Sequence, residues 1–231
     1  MSKRSKLEKF AENLNLPNVF ENFSFKNPVL YKTLHEQIEF KGNWKLGYFK
    51  NKDPLVLELA CGGGEYCLGL SALYPINNYI GIDIKGARIW KGAKKALDTK
   101  NERIAFLRTK IELLPHFFSA HEVDEIWITF PDPFLKQRKT AKRLTAPFYL
   151  NIYKRILKPN GMLHLKTDDT TLYNFTLETL QQDTDFKILD FSDNIYNSGK
   201  EYPEMDVKTY YELKHLAIGK TIKYIRFQRT S

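Results

Sequence analysis

A chain of 231 residues with 42% hydrophobic and 14% aromatic content has material for a sizeable core, which excludes a disordered or fibrous protein. The formal net charge is +9, and it sits in two acid-free clusters. Residues 85–95 hold Lys85, Arg88, Lys91, Lys94 and Lys95, and residues 136–143 hold Lys136, Arg138, Lys139, Lys142 and Arg143; the other 26 basic residues face 27 acidic ones. Two cysteines, Cys61 and Cys67, are too few for a disulfide framework or a zinc site. No stretch approaches the ~20 apolar residues of a membrane span, so a soluble cytoplasmic protein is expected, reduced at both cysteines and without a metal.

Residues 1–53 read as an extension: a basic start, an interrupted apolar pattern at Leu7, Phe10 and Leu14, and an aromatic-rich stretch from Phe20 to Phe49. From Pro54 onward, apolar runs alternate with amphipathic segments. Strands are expected at 55–60, 79–84, 104–108, 125–130, 162–167, 186–192 and 221–228. Helices are expected at 65–73, 86–99, 111–119, 147–156 and 171–182, with a turn at 157–161. The first two strands are nearly continuous in apolar residues, as strands buried on both faces of a parallel sheet are. This alternation predicts one doubly wound α/β domain over 54–231 with a mostly parallel, seven-stranded sheet.

The turn after the first strand reads Glu58-Leu59-Ala60-Cys61-Gly62-Gly63-Gly64-Glu65. Consecutive glycines between strand and helix let the backbone approach a ligand at the carboxyl edge of the sheet. The spacing is neither G-x-G-x-x-G nor a P-loop, which disfavours phosphate cradling. An acid at the end of the first strand and Asp83 at the end of the next suit an adenosine ligand without a pyrophosphate. The plainer alternative is a tight turn with Asp83 capping the following helix.

In these residues the chain resembles the class I S-adenosylmethionine-dependent methyltransferases, whose first motif is E/D-x-G-x-G-x-G, with Ala60 in place of the first glycine. The resemblance implies a Rossmann-like fold. It also implies a cofactor site in which Glu58, Gly62 and Gly64 face the methionine end of S-adenosyl-L-methionine and Asp83 its ribose.

The fourth strand runs into Pro131-Asp132-Pro133-Phe134-Leu135-Lys136-Gln137-Arg138-Lys139-Thr140-Ala141-Lys142-Arg143-Leu144. Two prolines fix the backbone around Asp132, and five cations follow within eight residues; this reads as a base-recognising acid with phosphate-binding neighbours. The stretch, with Thr167-Asp168 and Thr209-Tyr210-Tyr211-Glu212, resembles the tRNA (guanine-N7-)-methyltransferase family over residues 54 to about 225. Phe134, Leu135 and Lys139 depart from that family's Trp, Pro and His, and Lys110 stands where many members place an Asp near the adenine. The resemblance implies methyl transfer to N7 of a guanosine in the variable loop of tRNA.

Guanine N7 carries a lone pair and no proton, so no general base is required, and catalysis can consist largely of orientation. Asp132 is the expected catalytic residue, nearest the methyl group and so also at the cofactor. Asp132, Asp168 and Glu212 are candidates to accept from the guanine N1–H and N2–H₂ edge. Lys136 and Thr209 are their neighbours, and Lys136 and Arg138 lie in the run expected to meet RNA phosphates. Help for RNA binding is expected from Lys3, Arg4 and Lys6 and from Lys220, Lys223, Arg226 and Arg229, the last four also readable as edge-strand protection. The 85–95 cluster reads as a solvated helix face, Asp169 as a helix cap and His164 as a packing residue. A methyltransferase for another RNA or a small molecule, or an RNA-binding protein with a degenerate cofactor site, stays open as an alternative, as does monomer against homodimer.

Overall fold

The computed structural model describes residues 4–230. Helix α1 (Lys6–Asn13) opens on a capping box, in which the Ser5 hydroxyl accepts from the Glu8 amide and the Glu8 carboxylate accepts from Ser5 N. Three short strands follow, β1 (Val19–Glu21), β2 (Leu30–Tyr31) and β3 (Gln37–Ile38), then a π-helical turn at Trp44–Tyr48. The alternating part comprises β4 (Leu55–Leu59), α2 (Glu65–Leu73), β5 (Asn78–Asp83), α3 (Gly86–Asp98), β6 (Ile104–Arg108), α4 (Leu114–Phe117), β7 (Val123–Thr129), α5 (Pro147–Ile156), β8 (Leu157–Thr167), α6 (Thr170–Gln182) and β9 (Phe186–Ser192). Helix α7 (Tyr210–Ala217) and β10 (Lys223–Arg229) close the chain.

All strands join one sheet in the order β3-β2-β1-β6-β5-β4-β7-β8-β10-β9. From β1 through β8 neighbours run parallel, while β10 is antiparallel to both β8 and β9. The sheet thus has ten strands rather than seven. The additional three come from the amino-terminal segment, where Val19 pairs with Phe106 and Glu21 with Arg108. Two- and three-residue strands are too short to show a period, so no sequence signal announces them.

Leu55, Leu57 and Leu59 of β4 point into one core layer and Val56 into the other, which is the period of a strand covered on both faces. Phe20 and Trp44 enter the first of these layers, and the Trp44 indole N–H donates to the Phe117 carbonyl at 2.8 Å. The segment expected to be a turn at 157–161 instead begins β8. Leu157 pairs with Val123, the register slips before Glu125, and Asn160 takes φ 63. Helix α7, which the apolar pattern did not announce, starts at a second capping box: the Thr209 hydroxyl accepts from Glu212 N, and the Glu212 carboxylate accepts from Thr209 N.

Chain direction changes at β4: the path leaves it toward β5 and β6, then returns to its other side as β7. In open α/β sheets a crevice forms outside the carboxyl ends of the strands at such a switch point.

Candidate functional site

A cavity of about 370 Å³ lies at that edge. Its floor is Glu58 with Ala60 to Gly63; one wall is Ala87, Arg88 and Lys91 of α3 with Lys9 of α1, and the other is Thr129, Phe130 and Thr209 to Tyr211.

The glycine turn is built on left-handed backbone. Gly62 has φ +55 and Gly64 φ +66, and a Cβ at Gly64 would stand 2.4 Å from the Phe106 ring. Gly64 also precedes the first residue of α2, so its conformation sets where that helix begins. Ala60 takes φ 54, a conformation that costs an L-residue roughly 1–2 kcal/mol and that glycine adopts freely. Ala60→Gly is therefore expected to stabilise the protein. Relief of strain exceeds the added unfolded-chain entropy of about 0.4–1 kcal/mol, and a urea midpoint lower than the parent's would contradict it.

Glu58 is buried at the end of β4. Its Oε2 accepts from Cys67 N at 2.8 Å and its Oε1 from the Thr129 hydroxyl at 3.4 Å. Burial pushes its carboxyl up to about 7, against a smaller lowering by the Cys67 N–H. A buried carboxylate facing a cavity is suited to a cationic ligand. Asp83 accepts from Gly62 N at 2.9 Å and from Lys85 N at 2.8 Å, so it braces the glycine turn against the start of α3. It stands outside the cavity lining. Cys61 and Cys67 are buried and free, their thiols pushed well up by burial.

Asp132 is exposed just beyond the end of β7, next to Phe130 on the cavity wall. Phe130 and Phe134, on either side of the Pro131-Asp132-Pro133 step, have φ 48 and φ 44. Lys136, Arg138, Lys139 and Lys142 stand exposed on or beside a 3₁₀ turn at Gln137–Lys142. Arg143 does not share that surface, being 3% exposed. The run therefore exposes four cations rather than five.

Asp168 is half-buried and pairs with Lys220 at 2.5 Å, and His215 Nδ1 lies 3.3 Å from the same carboxylate oxygen. Thr209 lines the cavity while capping α7. Glu212, expected at the guanine edge, is closed inside the protein: Lys166 Nζ lies 2.8 Å from its Oε1, the Tyr196 hydroxyl donates to the same oxygen, and both charged side chains are fully buried. The capping geometry turns its carboxylate under the helix, so its acceptors are spent on holding α7. Asp169 caps α6 by accepting from Leu172 N at 2.7 Å, and His164 stacks on Trp127 at 3.9 Å, both as their positions suggested.

The other expected RNA contacts also move. Lys220 pairs with Asp168, Lys223 donates to the Asp168 carbonyl, Arg226 covers the Tyr202 ring and Arg229 donates to the Leu157 carbonyl, so the C-terminal cations serve the fold. Arg4 pairs with Glu12 at 2.5 Å, Lys6 is exposed, and Lys3 lies outside the described residues. Lys110 is exposed with its ammonium over the Phe25 ring. Conversely, Arg88 and Lys91, from the cluster read as a solvated face, line the cavity with Lys9.

Lys9 had no signal in the sequence. It arrives because α1 docks on α3, where Asn13 donates to the Gly86 carbonyl at 2.9 Å and the absence of a side chain at Gly86 admits the Phe10 ring. Tyr210 and Tyr211 lie within a motif already singled out, yet only the fold shows them on the wall. Among the described residues no cluster of His, Cys, Asp and Glu could hold a metal ion, and no helix is long and apolar enough to cross a membrane.

The model of a family described as "Putative methyltransferase" matches residues 52–225. The chain is 43% identical over 231 residues to a tRNA (guanine-N(7)-)-methyltransferase of Christiangramia forsetii, covering 99% of each chain. It is 47% identical over 188 residues to one from Porphyromonas gingivalis, covering 81% of this chain and 76% of that one. Among solved structures, the 16S rRNA methyltransferase KamB superposes with a TM-score of 0.64 at 12% identity, over 85% of this chain and 97% of that one, a likeness of fold. The glycine turn, the Pro131-Asp132-Pro133 step and the Thr209–Glu212 cap thus meet at one sheet edge in a chain that belongs to the tRNA (guanine-N(7)-)-methyltransferase family.

Proposed function

We propose that this protein transfers a methyl group from S-adenosylmethionine to N7 of a guanosine in the variable loop of tRNA. It acts in the cytoplasm as a monomer or homodimer, with residues 54–231 as the catalytic unit and 1–53 as its extension. The observation that carries this reading is a crevice floored by a buried acid and a glycine turn, whose Thr129–Phe130 wall runs on along the chain into an exposed Asp132 and four exposed cations. The cavity's volume falls within the range of small-molecule sites.

When bound, S-adenosylmethionine supplies a methyl group already activated as a sulfonium. Glu58 meets its positive charge, Gly62 leaves room for its methionine end while Gly64 packs the same turn on Phe106, and Asp83, outside the cavity lining, is assigned to the ribose through lone pairs beyond those it gives to Gly62 and Lys85. Asp132 accepts from the guanine N1–H and N2–H₂ edge, presenting N7 in line with the methyl–sulfur bond. Asp168, paired with Lys220, and Thr209 flank it. Lys136, Arg138, Lys139 and Lys142 meet phosphates on one side of the crevice; Arg88 and Lys91 form the other rim.

Incubation of unmodified tRNA with labelled S-adenosylmethionine, followed by nucleoside mapping, is expected to yield 7-methylguanosine; label on another atom, or none, overturns the reading. Glu58 adds a pH signature. A cationic ligand selects its ionised form, so cofactor affinity is expected to rise by up to about tenfold per pH unit as pH approaches 7, then level off. In the unliganded protein the linkage has the raised-pKa sign: the stability Glu58 contributes is present at low pH and lost as pH rises through about 7. Calorimetric titration from pH 5.5 to 8.5 checks this, with Glu58→Gln expected to flatten the profile; a flat profile in the parent would count against it.

A further inference from the structure

We propose that Arg143 is the positioning residue of the Asp132 loop, acting through the backbone rather than on RNA. This rests on the role given to Asp132 above. In sequence Arg143 ends the basic run, and its four companions are exposed, but it is 3% exposed itself. Its Nε donates to the Pro133 carbonyl at 2.9 Å and its Nη2 to the Phe134 carbonyl at 3.3 Å, while its Cζ lies 4.5 Å from the Phe175 ring centroid. Among the described residues no carboxylate is within ion-pair distance of it.

A buried guanidinium is tolerated when its N–H groups are met by oxygens, and here both oxygens belong to the two residues that follow Asp132. In an extended chain successive carbonyls point to opposite sides. The positive φ of Phe134 turns the backbone so that both reach one guanidinium fork. Such a conformation is disfavoured for a residue with a Cβ and persists where the surroundings hold it. The holding group is itself anchored to α6, through the Phe175 face and through the buried Thr145–Thr176 hydroxyl contact of 2.7 Å two residues on. Helix α6 thereby sets the Pro133 and Phe134 carbonyls, and these set the direction in which Asp132 leaves the end of β7.

Arg143→Lys keeps the charge but loses the planar fork and the stacking. It is expected to lower kcat by about 10- to 100-fold, the scale of a catalytic group misplaced by about 1 Å. KM for tRNA, affinity for S-adenosylhomocysteine and the salt slope of tRNA binding are expected to stay within twofold of the parent. Phe175→Leu, which removes only the ring face, is expected to show a smaller loss confined to kcat. Lys142→Ala, by contrast, is expected to lower the salt slope by about one, as loss of a phosphate contact does. An Arg143→Lys protein with parental kcat, or one whose salt slope falls as Lys142→Ala's does, overturns the proposal; if that variant does not fold, parental kcat in Phe175→Leu overturns it. A wild-type protein that places no methyl group on guanine N7 refutes the functional reading instead.

Discussion

Asp132→Asn is expected to lower kcat for tRNA methylation by about 10²- to 10³-fold, the range seen when one group that stabilises a transition state is lost. The side chain is exposed beyond the end of β7, so the isosteric change removes charge without opening a cavity. The neutral amide keeps one acceptor oxygen where the carboxylate presents two, and its NH₂ would oppose the guanine N–H edge. Because Asp132 is outside the cavity lining, affinity for S-adenosylhomocysteine is expected to hold within a few-fold. The measurement is single-turnover methylation beside calorimetric titration. Retention of full turnover would remove Asp132 from the site, and loss of cofactor binding without loss of fold would move it to the cofactor.

The second large effect is on stability. Glu212→Ala leaves Lys166 fully buried and without its carboxylate, and breaking a buried pair in this way typically costs about 3–5 kcal/mol. For a chain of this size that corresponds to a Tm lower by on the order of 10 °C. Burial already lowers the Lys166 ammonium, with Glu212 opposing that shift. Once Glu212 is gone, the lysine must fold neutral or remain charged at a cost, and a depressed lysine withdraws stability as pH falls. The deficit is therefore expected to be larger at pH 6 than at pH 9. Thermal unfolding at the two pH values checks this. A variant of parental stability that fails only in methylation would return Glu212 to the guanine edge.

These two acids show how far the residues speak for themselves. Both sit in motifs that the chain announces, Asp132 between two prolines and Glu212 three residues after Thr209. The T-x-x-E spacing is also that of a capping box, and a linear motif does not say which of its two uses a carboxylate serves. Only the position of Lys166 on β8, opposite the start of α7, decides it. The cations divide the same way. Net charge counts Arg143 and Lys142 alike, yet one is enclosed beneath the Asp132 loop and the other faces solvent.

What the amino-acid order determined by itself is whatever depends on neighbours along the chain. Apolar period placed the strands and helices of residues 55–192 apart from the start of β8, consecutive glycines marked the turn after β4, and two prolines marked the rigid step after β7. What the tertiary structure decided is whatever depends on groups far apart in sequence. Strand β1 joins β6 across more than eighty residues, α1 carries Lys9 to the wall formed by Arg88 and Lys91, and the C-terminal cations turn inward to Asp168 and to backbone carbonyls. Periodicity encodes which face of an element is apolar, whereas the direction in which a charge is spent depends on the desolvation cost and partners it meets after packing.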